Sequence, residues 1–235
     1  MPNNYLDLLA YFGIGSAHPG GFSLTQTIFE KEKIQPTQHV LDIGCGTGQT
    51  AAFLAENFGC EVTAIDIHPI MIEKAKKRFA NEELDINVIL GDVQSMKFAD
   101  HSFDFILSES VISFTNIQKT LREVAKVLKE DGCMIMIEMT AEKILSDNIK
   151  AKITDLYGID EVLTEKEWIS CLKQAGFTKI KEIRTPSLLI PTDIDDMEQS
   201  ENISMALYDV WDEHNQFIEQ NSHLIGYRAF KCYLR

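Results

Sequence analysis

The stretch His39–Thr50, H-V-L-D-I-G-C-G-T-G-Q-T, limits what this chain can fold into more than any other. Val40, Leu41 and Ile43 form the short apolar run that a strand buried on both faces requires. The run breaks into Gly44, Gly46 and Gly48, then passes into a helix-compatible segment from Gln49 to Ala55. Strand, glycine turn and helix, in that order, build a nucleotide site. Glycine lets the backbone turn sharply and approach a ligand with no Cβ in the way. The free N–H groups at the start of the helix point at whatever occupies the crevice. The same turn is also compatible with a purely structural bend.

Spacing and charge narrow the nucleotide. The dinucleotide fingerprint G-x-G-x-x-G needs a third glycine at position 49, where this chain has Gln49. An acid, Asp42, sits inside the strand end. Its charge would repel a pyrophosphate and suits a ligand that is cationic there, through an amino-acid ammonium or a sulfonium; S-adenosylmethionine carries both. A second apolar run, Cys60–Ile67, ends in Asp66. There a carboxylate's two oxygens match a ribose diol. A helix is expected over Pro69–Asn81 with Ile72, Ala75 and Phe79 facing inward; Met71 within it suits either an adenine face or a core gap. A third strand, Asp85–Leu90, closes with Gly91-Asp92-Val93. Asp92 can accept from the exocyclic amine of adenine, with the Val93 N–H serving a ring nitrogen, or simply shape a turn.

Strands and helices keep alternating to about residue 140. Ser102–Ser108 reads as a fourth strand leading into Glu109-Ser110-Val111; Ile117, Leu121, Val124, Ala125 and Leu128 have helical spacing; Cys133–Met139, containing Glu138, reads as a fifth strand. This is the pattern of a parallel sheet covered on both faces. Ahead of it, residues 1–35 form an arm. One short helix carries Tyr5, Leu6, Leu9, Tyr11 and Phe12; a breaker-rich loop holds His18; a second helix spans Phe22–Lys33. Beyond the core, Thr164-Glu165-Lys166-Glu167 is a capping box, and Lys179–Arg184 and Tyr227–Leu234 read as the last two strands. Between those strands, an insertion over 186–225 combines an acidic loop with an amphipathic helix containing Ile203, Leu207, Trp211 and Ile218. No linker or repeat divides the chain, so one domain is expected over 1–235, with the cofactor core at 36–140.

Composition sets bounds on partners. A net charge of −14 and no basic run argue against a nucleic-acid partner and favour a small molecule. No apolar run reaches membrane-spanning length, and the N-terminus lacks the regions of a signal peptide. Five cysteines, an odd set without C-x-x-C, read as reduced core thiols, so a cytoplasmic location is expected. No cluster has metal-ligand spacing, and no metal is expected.

The motifs V-L-D-I-G-C-G-T-G (40–48), A-I-D-I-H-P-I-M (64–71), G-D-V (91–93) and F-D-F-I-L-S-E-S (103–110) resemble those of class I S-adenosylmethionine-dependent methyltransferases, in particular the small-molecule group of ubiquinone and menaquinone C-methyltransferases. The resemblance implies a Rossmann-like α/β fold: a seven-stranded, mostly parallel sheet with its last strand antiparallel, helices on both faces, the N-terminal arm, and the insertion as a cap. It implies a site in which Asp42 and the backbone of Gly44, Cys45 and Gly46 hold the methionine part of the cofactor, Asp66 its ribose, and Met71, Asp92 and Val93 its adenine, with Ser108 under the methionine part and Gly48 and Ile67 also at the cofactor. The product would be S-adenosylhomocysteine. The family's N-P-P-Y type motif for amino nitrogens is replaced here by Ser108-Glu109-Ser110-Val111.

Methyl transfer needs an acceptor atom held in line with the departing sulfur. Glu109 and Glu138, both expected at strand ends beside the crevice, are candidates to steer or deprotonate an acceptor, with His18, Tyr5 and Tyr11 as lid-side candidates. The carboxylates would favour a cationic acceptor. Two other readings stay open: a methyltransferase acting on RNA or protein, and a non-catalytic cofactor-binding relative. The oligomeric state is not readable from the sequence.

Overall fold

The sheet forms around β1 (His39–Ile43), whose residues after His39 are all buried. The computed structural model describes residues 4–183 and 196–235. β1 lies parallel between β2 (Glu61–Asp66) and β4 (Phe103–Glu109); β3 (Asn87–Leu90) extends one side, and β5 (Leu128–Ala141) the other. β6 (Lys179–Ile183) and β7 (Ile225–Tyr233) complete the order β3-β2-β1-β4-β5-β7-β6, with β7 antiparallel to both neighbours. The order reverses between β1 and β4. In open α/β sheets a ligand crevice opens at that switch point, beyond the carboxyl ends of the strands.

Alternation along each strand divides the core into two layers, since successive side chains leave opposite faces. Val40, Val62, Leu107, Ile135 and Ile137 pack on one face against α3 (Gln49–Phe58) and α4 (Pro69–Asn81). Leu41, Ile43, Ile106, Met134 and Met136 pack on the other against α5 (Ile117–Val127) and α7 (Glu165–Gln174). The expected capping box opens α7: Thr164 and Glu167 exchange side-chain-to-backbone bonds.

Several boundaries differ from the expected ones. The second helix of the arm is α2 (Gly21–Phe29), shorter than Phe22–Lys33. It ends in tight turns, Lys31 N–H to Ile28 and Glu32 N–H to Phe29, which let Ile34 drop into the core. β3 begins at Asn87, the first residue to pair with β2. β5 runs on to Ala141 because β7 pairs with it that far, two residues past its expected end at Met139. A helix over Asp147–Tyr157, α6, was not expected. Ser146 caps it and a left-handed Gly158 closes it, and only Ile153 and Tyr157 of its residues are buried, too few for a clear periodicity.

A roof covers the switch point. It is made by α1 (Asn4–Phe12) and α8 (Met205–Asn221), joined through Leu8, Phe12, Ile14 and Leu207. Residues 196–200 form a strap over it: Gly15 N–H bonds Asp196 O at 3.0 Å, Glu198 N–H bonds Gly13 O at 3.0 Å, and Ser200 N–H bonds Tyr11 O at 2.7 Å. From α4, Lys74 and Lys77 reach Glu198 and Arg78 reaches Asp196. Arg78 Nε also donates to the Thr47 carbonyl of the glycine turn, at 3.0 Å. Arg184, and the part of the expected cap from 186 to 195 with Asp193 and Asp195, lie outside the described residues. Among the described residues no helix is long and apolar enough to cross a membrane.

Candidate active site

The glycine turn is pinned before any ligand is considered. Gly44 and Cys45 N–H both donate to Ile65 O, at 2.7 and 3.1 Å, and Gly46 N–H donates to Asp66 Oδ2 at 2.9 Å. Asp66 Oδ1 accepts from His68 N–H at 2.8 Å. Asp66 therefore joins the turn after β1 to the entry of α4, where His68 is the N-cap. Two glycines have different reasons. Gly46, at φ +54°, has open space where a Cβ would stand, so its backbone faces the cavity. Gly48, at φ +81°, would drive a Cβ into Phe79 and Ala75 of α4. Gly48 therefore serves the packing of α3 on α4 and does not line the cavity, a correction to its expected contact with the cofactor.

A cavity of about 370 Å³ opens at this turn. Its floor and one side carry Asp42, Gly44, Cys45, Gly46, Asp66, Ile67, Met71, Asp92 and Val93, so most of the residues expected at the cofactor converge. Ile67 stands at the lip, 60% exposed. Met71 is buried. Asp92 lines the cavity and also caps the one-turn 3₁₀ helix Val93–Ser95, accepting from Gln94 N–H at 2.8 Å, so it has the turn role expected of it.

Asp42 is buried, and its Oδ2 has no hydrogen-bond partner among the described residues. Burial, then the nearby charges of Glu109 and Asp66, push its carboxyl well above the usual range. Burial also raises Asp66, partly offset by the N–H groups of His68 and Gly46. An acid left in this condition is suited to a cation arriving from the cavity.

Glu109, at the end of β4, lines the same cavity, and its side chain is one-tenth exposed. Its carboxylate accepts from Thr25, and from Thr50 Oγ1 at 2.8 Å, and it stands 3.2 Å from His18 Nε2. His18 is not on the surface: it is buried, bonded to Thr25 Oγ1 at 3.1 Å and with its Nδ1 3.1 Å from Pro19 O. The arm loop, α2 and α3 thus meet on one carboxylate. Tyr5 lines the roof, and Tyr11 does not reach the cavity.

Two expected positions are corrected. Glu138 is not at a strand end beside the crevice. It lies inside β5, fully buried, accepting from Val111, Ile112 and Ser113 N–H at 3.1, 2.8 and 3.3 Å and from Ser113 Oγ at 2.7 Å. Burial raises its carboxyl and these four donors partly offset the rise. Ser108 is fully buried too, facing Glu138 Oε1 at 3.4 Å, and neither residue lines the cavity. Glu138 holds the turn after β4 in shape, and Val111 and Ser113 of that turn form cavity wall. Glu138→Ala is expected to cost about 3 kcal/mol in a urea unfolding curve, because buried donors lose their acceptor; Glu138→Gln should cost less. An unchanged midpoint for both would remove this role.

Sequence reasoning missed Ser110, Tyr157, Trp211 and His214, which also line the cavity. Ser110 has a left-handed backbone at φ +56° and a buried hydroxyl without a partner among the described residues. Non-glycine strain of this kind gathers at binding sites.

Residues 40–132 match the family described as "Methyltransferase domain". With the sheet order, the pinned glycine turn and the acids around it, the chain belongs to the class I S-adenosylmethionine-dependent methyltransferases. Along nearly its whole length it is similar to the Bacillus subtilis (strain 168) protein named "Uncharacterized methyltransferase YodH": 37% identical, covering 98% of this chain and 99% of that one. It is 32% identical to phosphoethanolamine N-methyltransferase 1 of Arabidopsis thaliana, over 76% of this chain but only 36% of that enzyme's length. Phosphoethanolamine N-methyltransferase 2 of Haemonchus contortus, solved with phosphomonomethylethanolamine and S-adenosylhomocysteine, superposes with a TM-score of 0.75 at 20% identity, covering 96% of this chain and 56% of that one; this likeness bears on the fold.

Proposed function

We propose that this enzyme methylates a small-molecule acceptor held under the roof formed by α1 and α8. The observation that carries the reading is the buried, partner-poor carboxylate of Asp42 beside an open glycine turn in a roofed cavity. S-adenosylmethionine, when bound, supplies a methyl group on a positively charged sulfur. Asp42 would take its ammonium, Asp66 its ribose hydroxyls through lone pairs left free by the Gly46 and His68 bonds, and Met71, Asp92 and Val93 its adenine. Ile67 would close the ribose side, and Gly44 and Cys45 would line the methionine part.

Glu109 is the acid best placed to steer an acceptor and take its proton, with His18 and Thr25 fixing the carboxylate's direction. The arm over residues 4–35 and the part of the insertion over residues 196–225 act as a lid that excludes water, all within one domain. The roof over the site and the net charge of −14 favour a small molecule over RNA or a protein tail. The free cysteines Cys45, Cys60, Cys133, Cys171 and Cys232 suit a reducing cytoplasm.

Incubation with labelled S-adenosylmethionine and a metabolite extract should label a small molecule; label confined to RNA or protein would defeat the reading. With an acceptor in hand, Glu109→Gln should lower kcat by about 10²-fold, the usual scale for a lost general base. It should also erase a preference for amines over acids. Equal rates for the two enzymes on both substrate types would remove Glu109 from the chemistry.

A further inference from the structure

The cavity wall away from the glycine turn belongs to the roof and to the turn after β4. It is mainly apolar and aromatic, through Tyr5, Phe114, Met139, Tyr157, Trp211 and Ile218, with Ser110, Ser113, Thr115, His214 and Asn215 as its polar side chains. These rings brace one another, with Tyr5 edge-on to Tyr157 at 4.8 Å and tilted against His214 at 5.3 Å. No lysine or arginine is found among the described residues lining the cavity. The cations of α4 are turned elsewhere: Lys74 and Lys77 meet Glu198, Arg78 meets Asp196 and the Thr47 carbonyl, and Lys76 is exposed outside the cavity. The histidines of the lining are also engaged. His18 faces Glu109, His68 faces Asp7 at 3.2 Å, and His214 Nδ1 is 3.0 Å from the Tyr157 hydroxyl. Burial holds His214 down at about 4, so it is neutral near pH 7.

A phosphate or carboxylate brought against this wall would lose its water and meet no lysine or arginine among the described residues, while Glu109 repels it. Burial of a charge without a partner is strongly unfavourable. We propose that the acceptor has an apolar or aromatic body and no anionic group, its reacting amine or hydroxyl lying toward Glu109. This rests on the reading of the roofed cavity as the acceptor site, and it sets this chain apart from relatives named for phosphoethanolamine.

The test is calorimetry on the full chain saturated with S-adenosylhomocysteine, so that the cofactor half is filled. The probes are 2-naphthol, 2-naphthyl phosphate and phosphoethanolamine. 2-Naphthol should bind, its phosphate ester at least about tenfold more weakly, and phosphoethanolamine without measurable heat. Binding of either phosphate compound as tightly as 2-naphthol would overturn the proposal, as would failure of 2-naphthol to bind. Failure of S-adenosylhomocysteine itself to bind would instead overturn the reading beneath it.

Discussion

Asp66→Ala should weaken S-adenosylmethionine binding by about a hundredfold or more. The side chain has two tasks that fail together. It would bind the ribose diol through two charge-assisted bonds, each of roughly 1.5–3 kcal/mol. It also holds Gly46 N–H at 2.9 Å and His68 N–H at 2.8 Å, so its loss frees the turn that frames the site. A hundredfold corresponds to about 2.7 kcal/mol, within reach of the first task alone. Asp66→Asn retains one acceptor oxygen and should fall between. Calorimetric titration decides: unchanged affinity in the alanine variant would mean that Asp66 does not touch the cofactor.

Asp42→Asn should do two opposite things, firming the fold and emptying the site. The wild-type carboxyl is buried, with one oxygen unpartnered and its proton affinity raised by desolvation and by Glu109 and Asp66. A raised acid binds protons in the native state before it does so in the unfolded chain. Its contribution to stability is therefore present at low pH and lost as pH rises through the elevated native value. An amide of the same shape removes that penalty, a gain of about 1–2 kcal/mol near neutral pH. The ammonium partner needs the ionised acid, so wild-type cofactor affinity should climb with pH over the window in which stability declines, then level off. In the variant both slopes should flatten, the remaining stability slope coming from Asp66 and Glu138, and affinity should drop at least about tenfold. Thermal unfolding across pH, paired with cofactor titration, checks each half. A variant that binds as well as wild type would show that Asp42 faces no cation.

Much of the cavity wall around the glycine turn was readable from the letters because its residues are neighbours in the chain. Asp42, Gly44, Cys45 and Gly46 belong to one turn, and Asp66, Met71, Asp92 and Val93 follow strand ends that apolar runs mark clearly. Gly48 looked like part of the same set, yet the reason for a glycine there is Phe79, a contact that spacing does not report. Glu138 was misplaced because the apolar run stops at Met139 while pairing with β7 carries the strand to Ala141. The roof side of the cavity was least legible. Tyr157 sits on a helix with few buried residues, and Trp211 and His214 reach the cavity only once α8 has folded over α1. His18 carried no local signal of its partner, since Glu109 is ninety-one positions away and only the folded arrangement of the arm loop at the end of β4 brings them within 3.2 Å.

The strap over residues 196–200 also has a kinetic meaning. The early segment Tyr11–Gly15 makes three of its backbone bonds to residues made long after the whole parallel core has emerged. Closure must therefore come late during synthesis, and the closing contacts have few layers of apolar packing above them. In hydrogen exchange the amides of Gly15, Glu198 and Ser200 should lose protection well before those of β1 and β4, so that a ligand can enter by a local opening that leaves the sheet intact. Because Arg78 touches both Asp196 and the Thr47 carbonyl, each such opening is felt at the glycine turn itself.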